Sequence, residues 1–136
     1  MMTSMIPKVG ANLIIDRLMN ATPTQSIPSR FRVGVTTDDC AWTDTELNDS
    51  VVILAGAYTK TLESVVIDTT NANITFNAWL SVTEANGNLL TGFAIVNTDA
   101  SEKLVTKSKF TGVSKANNQL FKFSLVMKIR DSSLIV

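Results

Sequence analysis

The 136-residue chain contains no histidine. That removes the commonest general base and the Ser- or Cys-based triads that depend on it. Its one cysteine, Cys40, excludes an intrachain disulfide. A structural zinc takes about four ligands, mostly Cys and His, so the usual zinc sites are excluded too. Cys40 reads as a small buried residue or a loop thiol rather than a reactive group. The six glycines are scattered, so there is no phosphate-cradling loop. Charged residues are only 18% of the chain, and 12 Lys and Arg balance 12 Asp and Glu. With no basic block, nucleic acid is not an expected partner. No apolar run approaches the ~18 residues of a membrane-spanning helix, so no membrane partner is expected either. The opening residues 1–8 lack the apolar core of a signal peptide. The expectation is a protein made and kept in a cytosol, or released by lysis rather than secretion. The glycosylation triplets beginning at Asn20, Asn48 and Asn73 are then read as chance.

What the chain has in quantity is β-forming and small polar residues. Apolar residues reach 45%, and Ser, Thr and Asn together number 40. That combination favours a β protein with polar, largely uncharged surfaces. The length suits one domain, burying roughly 65–70% of the unfolded chain's surface. A net charge of zero gives little electrostatic resistance to self-association.

Residues 74 to 131 carry the clearest pattern. Ile74, Phe76, Ala78, Leu80 and Val82 alternate with Thr75, Asn77, Trp79 and Ser81, the period of a half-buried strand. Asn86-Gly87 follows, the strongest short hairpin signal. Residues 89–96 are apolar on both faces and read as a central strand covered on two sides. A weaker strand spans 104–113, with Lys107 and Lys109 sharing a face that suggests solvent or a partner. Phe121, Phe123, Leu125, Met127 and Ile129 form the best alternating strand. The expectation is four consecutive strands in one contiguous antiparallel meander.

Ahead of it, residues 8–20 predict the one helix, with Val9, Leu13, Ile14, Ile15, Leu18 and Met19 on a broad apolar side. It reads as a helix packed across a sheet, with a docking arm for a neighbouring subunit as the other reading. Pro23 and Pro28 mark 21–29 as an extended linker. Phe31, Val33 and Val35 predict a short strand. Residues 36–48 predict a long acidic loop anchored by Trp42. Residues 51–54 predict a short buried strand, and 58–69 another. The fold class expected is mainly β, an antiparallel sandwich or jelly-roll-like barrel over 30–131, with one N-terminal helix and an apolar tail at 132–136.

No set of residues converges on chemistry. Asp38, Asp39, Asp44 and Glu46 could form a glycosidase-like carboxylate pair or bind calcium. They read more simply as a solvated acidic loop, and no enzyme activity, metal or cofactor is expected. Trp79 breaks an otherwise polar face. It could stack on a sugar, but burial under a second layer or the helix is the favoured reading.

Two stretches resemble a known group. Residues 9–18 (VGANLIIDRL) are similar to the start of small tail proteins of tailed bacteriophages. The run 90–97 (LTGFAIVN), with Leu104 and then 110–115 (FTGVSK), resembles a strand, turn and strand of phage tail-fibre and baseplate-associated domains. The resemblance implies a virion structural protein that assembles with copies of itself and with other virion proteins in the tail, baseplate, collar or fibre-attachment region. The candidate assembly contacts are Val9, Leu13, Leu18, Leu134, Ile135 and Val136. The alternative is a carbohydrate-binding sandwich that recognises a host-surface glycan, with Trp42 and Trp79 as stacking residues. An aromatic content of 7% stands against it.

Overall fold

A computed structural model describes residues 2–128, Met2 by its backbone alone. The elements are β1 (Met2–Met5), α1 (Lys8–Met19), β2 (Arg30–Gly34), β3 (Lys60–Thr61), β4 (Ser64–Asp68), β5 (Asn73–Leu80), β6 (Asn88–Val96), β7 (Leu104–Lys115) and β8 (Phe121–Lys128). The protein is mainly β, with two antiparallel sheets and one short helix. The larger sheet has the order β1-β7-β6-β2-β3 and the smaller β4-β5-β8.

The strands are where the alternation places them, but they do not form one meander. β5 pairs with β8, and β6 pairs with β7 in the other sheet. The Asn86-Gly87 segment is therefore a crossing between sheets rather than a hairpin. Gly87 has a φ of +83°. Its N–H donates to the Lys115 carbonyl, and Ala85 N–H donates to the Ile53 carbonyl. These bonds hold the crossing across the end of the sandwich. A turn sequence fixes local φ, and long-range pairing decides which strands it joins.

The core lies between the sheets. β5 and β8 turn Phe76, Ala78, Leu80 and Leu125 inward against Phe31, Val33, Leu90, Phe93 and Ile95 of the larger sheet. Phe93 stacks on Phe123 at 5.0 Å between ring centroids, and Phe31 and Phe110 flank that pair at 5.8 Å. Such ring pairs add about 0.5–1.5 kcal/mol beyond the area they bury. β6 is central and buried along most of its length.

Other readings need correction. Of residues 51–54 only Leu54 makes a bridge, an isolated one to Ala57. They are tied by Val51 N–H to the Val33 carbonyl and by Ile53 N–H to the Ala57 carbonyl, so they are loop rather than strand. Residues 58–69 divide into β3 and the edge strand β4. The stretch read as weak, β7, is a strand of 12 residues, the longest among the described residues. β1 was not expected at all. It adds to β7 with Met5 opposite Lys107, and Ser4 and Ser108 share a hydroxyl bond at 2.8 Å. α1 begins where β1 ends and lies along the first residues of β7. A Cβ on Gly10 would run into the carbonyl oxygen of Val105, so glycine lets helix and strand touch.

Candidate interaction surfaces

The outer face of the larger sheet is covered by the protein itself. Val9 of α1 packs beside Leu47, Ala94, Val96 and Leu104, which form a second small core under the 36–49 loop. Lys107 and Lys109 both reach toward that loop, Lys107 buried and Lys109 partly exposed at its rim. Lys107 is 1% exposed, with its ammonium 3.0 Å from Asp44 Oδ2. The pair is an ion pair without hydrogen-bond geometry, since Lys107 Nζ has no hydrogen-bond partner among the described residues. Lys109 Nζ donates to the Thr37 carbonyl and to Asp39 Oδ1. A buried ammonium needs a counter-charge, and the acidic loop supplies it. Leu47 and Asp44 therefore anchor the loop, and Trp42 does not. Trp42 is 54% exposed, and its carbonyl accepts the Lys8 N–H at the start of α1. Cys40 sits in the same loop, with Sγ 3.4 Å from the Lys107 carbonyl. Burial pushes its thiol pKa up, with nearby Asp44 and Asp39 adding to the shift and Lys107 opposing it.

The junction between the sheets is polar and ordered. Glu84 is buried and accepts from Lys60 Nζ at 2.7 Å and from Ser81 N–H at 2.8 Å. Its burial raises the carboxyl pKa, but Lys60 and the Ser81 N–H outweigh that and leave it lowered. Lys115 is also buried, and burial lowers its pKa while Glu84 opposes the shift. Its ammonium donates to Asn86 Oδ1 and to the Ala116 carbonyl. These groups are occupied in holding the crossing.

The smaller sheet is different, because among the described residues nothing covers its outer face. Trp79 stands there, 37% exposed, with the Lys122 ammonium 4.3 Å from its ring centroid. Among the described residues no second layer buries it, contrary to the favoured reading from sequence. Lys122 takes that role through a cation–π contact. Beside it, Ser124 Oγ donates to Asn77 Oδ1, and Asn77 Nδ2 donates to Ser64 Oγ. Trp42 and Trp79 lie on opposite outer faces of the sandwich and make no common site.

Among the described residues β4 is an unpaired edge of this sheet, and it is apolar. Val65, Val66 and Ile67 of β4 are all exposed, Ile67 at 69%. Val65 and Ile67 share the inner face with Phe76 and Ile74, as the register Val65 opposite Phe76 and Ile67 opposite Ile74 shows. The larger sheet does not reach over them. A cleft of about 170 Å³ opens there, lined by Ile67, Ile74, Met127 and the 68–73 turn. Residue pattern alone shows β4 as apolar, but not that its inner face is left open.

A second exposed apolar group lies on α1, where Ile15, Leu18 and Met19 are exposed. Of the proposed assembly contacts, Leu18 is free at the surface, 76% exposed. Leu13 is buried in the main core and Val9 packs into the smaller one, so both are used within the chain. Leu134, Ile135 and Val136 lie outside the described residues.

No protein-family model matches the chain, and searches of curated proteins and of solved structures gave no significant match.

Proposed function

We propose that the chain is a structural subunit of a tailed-phage particle, acting by assembly with copies of itself and with other particle proteins. The observation that carries the assembly reading is the apolar edge strand Val65-Val66-Ile67, with the open cleft behind it. Edge strands are normally shielded by Lys, Pro, bulges or a covering element, because a bare edge pairs with another chain. Ser64–Asp68 contains no Lys or Pro and keeps a regular register with β5. The exposed Ile15, Leu18 and Met19 on α1 add a second contact of the same kind. The resemblance of residues 9–18 and 90–97 to phage tail proteins supports the particle, and the uncovered surfaces support the mode of action.

The test is the mass of the purified protein by light scattering over the micromolar range. A discrete oligomer is the expected result. A monomer at every concentration contradicts self-assembly.

A second reading rests on Trp79, an aromatic ring on an open face beside Asn77, Ser124 and Lys122. Those groups would suit a host-surface glycan. It requires Lys122 to leave the ring. Glycan binding that is lost in Trp79→Ala and strengthened in Lys122→Ala is the result expected of it.

A further inference from the structure

We infer that two copies of this chain pair through β4, antiparallel and about a two-fold axis at Val66, to make one continuous six-stranded sheet of order β8-β5-β4-β4-β5-β8. The inference rests on the assembly reading and names its contact.

Among the described residues the sheets have four edge strands: β1, β3, β4 and β8. β3 has two residues and β1 has four, which leaves little to pair. β8 carries Lys122 and Lys128 on its outer face, and an antiparallel pair centred on Leu125 would set each against the other. β4 has none of these protections.

Its sequence, Ser64-Val65-Val66-Ile67-Asp68, is also self-complementary. With the axis at Val66, Val66 meets Val66 of the second copy on the outer face. Val65 meets Ile67 of the second copy on the inner face, at the mouth of the cleft beside Ile74 and Met127. Ser64 meets Asp68 of the second copy. Ser64 Oγ accepts from Asn77 Nδ2, which leaves its hydroxyl hydrogen to donate to that carboxylate. Asp68 is held ionised by bonds from Asn71 and from the Thr70 N–H, which keep its pKa below the ordinary value. No like charges face each other. A two-fold interface uses the same patch twice, and this strand fits itself. A five-residue pair is a small interface, at the weak and transient end of the size range.

Two variants test the contact. Val66→Lys places two ammonium groups on the axis while leaving an exposed side chain exposed. The expected result is dimerisation weakened by more than about tenfold, because like charges meet across the interface. Val126→Lys, on the same outer face but away from the axis, is expected to leave the dimer intact. Val66→Cys in a Cys40→Ser background is expected to form a disulfide-linked dimer on mild oxidation, since paired antiparallel residues lie within disulfide reach. A wild-type oligomer that is unmoved by Val66→Lys and not trapped by Val66→Cys overturns the β4 contact and leaves the assembly reading standing. A wild-type monomer at every concentration overturns both.

Discussion

The two sheets of this protein are treated in opposite ways. The five-stranded sheet is covered on both faces, by the smaller sheet inside and by α1 and the 36–49 loop outside. Even a lysine is used internally, Lys107 against Asp44, while Lys109 pairs with Asp39 at the rim of the loop. The three-stranded sheet contributes one face to the core and leaves the other open, with an apolar edge at β4. Stability is concentrated in one sheet and surface is presented by the other. Apolar residues are abundant in both, so apolar content alone does not say which is which. The difference lies in what the remainder of the chain packs against.

The contrast is sharpest at Phe93. Its ring joins Phe31 and Phe123 across the sandwich. Phe93→Ala is expected to cost about 3–5 kcal/mol, read by chemical denaturation at a concentration where the protein is monomeric. A loss under about 1 kcal/mol would place the core elsewhere. Next is the covering of the larger sheet. Asp44→Ala leaves the Lys107 ammonium buried without a counter-charge. The expected cost is about 2–3 kcal/mol, below the range for fully buried pairs because Asp44 is partly exposed. Asp39→Ala, at the exposed neighbouring pair, is expected to change stability by less than about 0.5 kcal/mol. Equal costs would break the distinction between buried and exposed lysine.

The junction should show in acid. Glu84 has a lowered pKa in the folded protein, so it contributes stability that is present above the unfolded carboxylate pKa. That contribution is lost as pH falls through the lower folded value. Glu84→Gln is therefore expected to cost about 1 kcal/mol at neutral pH and to flatten the acid limb of stability against pH. Asp16, Asp68 and Asp99 are lowered too, by bonds from Gln25, Asn71 and Ser26 respectively, so some acid sensitivity should survive in that variant. The smallest effect is on β4. Val66→Ala, in the monomer, is expected to change stability by less than about 0.5 kcal/mol, although valine is apolar and lies in a strand.

Much of the fold was legible because strand alternation is local. Phe121 to Met127 and Ile74 to Leu80 alternate in sequence as they do in space. Partner choice was not legible, because β5 finds β8 rather than its sequence neighbour β6, and Asn86-Gly87 looks the same in either case. β1 was hidden for the same reason, since Met2–Met5 carries no pattern until β7 is beside it. Lys107 reads as a solvent residue because its counter-ion, Asp44, is far away in sequence. The exposed β4 edge was partly visible as Val65-Val66-Ile67, but its openness depends on where the larger sheet stops. Among the candidate residues on the one apolar side of the helix, Leu13 turned inward, as a helix packed across a sheet requires, while Leu18 stayed at the surface, which that reading did not anticipate. The helix period groups these residues without saying which part of the group meets the core.

Backbone hydrogen exchange at two protein concentrations tests the division between the sheets most directly. β6 and β7 should exchange slowest at both concentrations, near the rate of global unfolding. The β4 amides should exchange fast in dilute protein and slow down as concentration rises and the edge is paired. Amides in β4 as protected as those of β6 in dilute protein, or unchanged by concentration, would contradict the account.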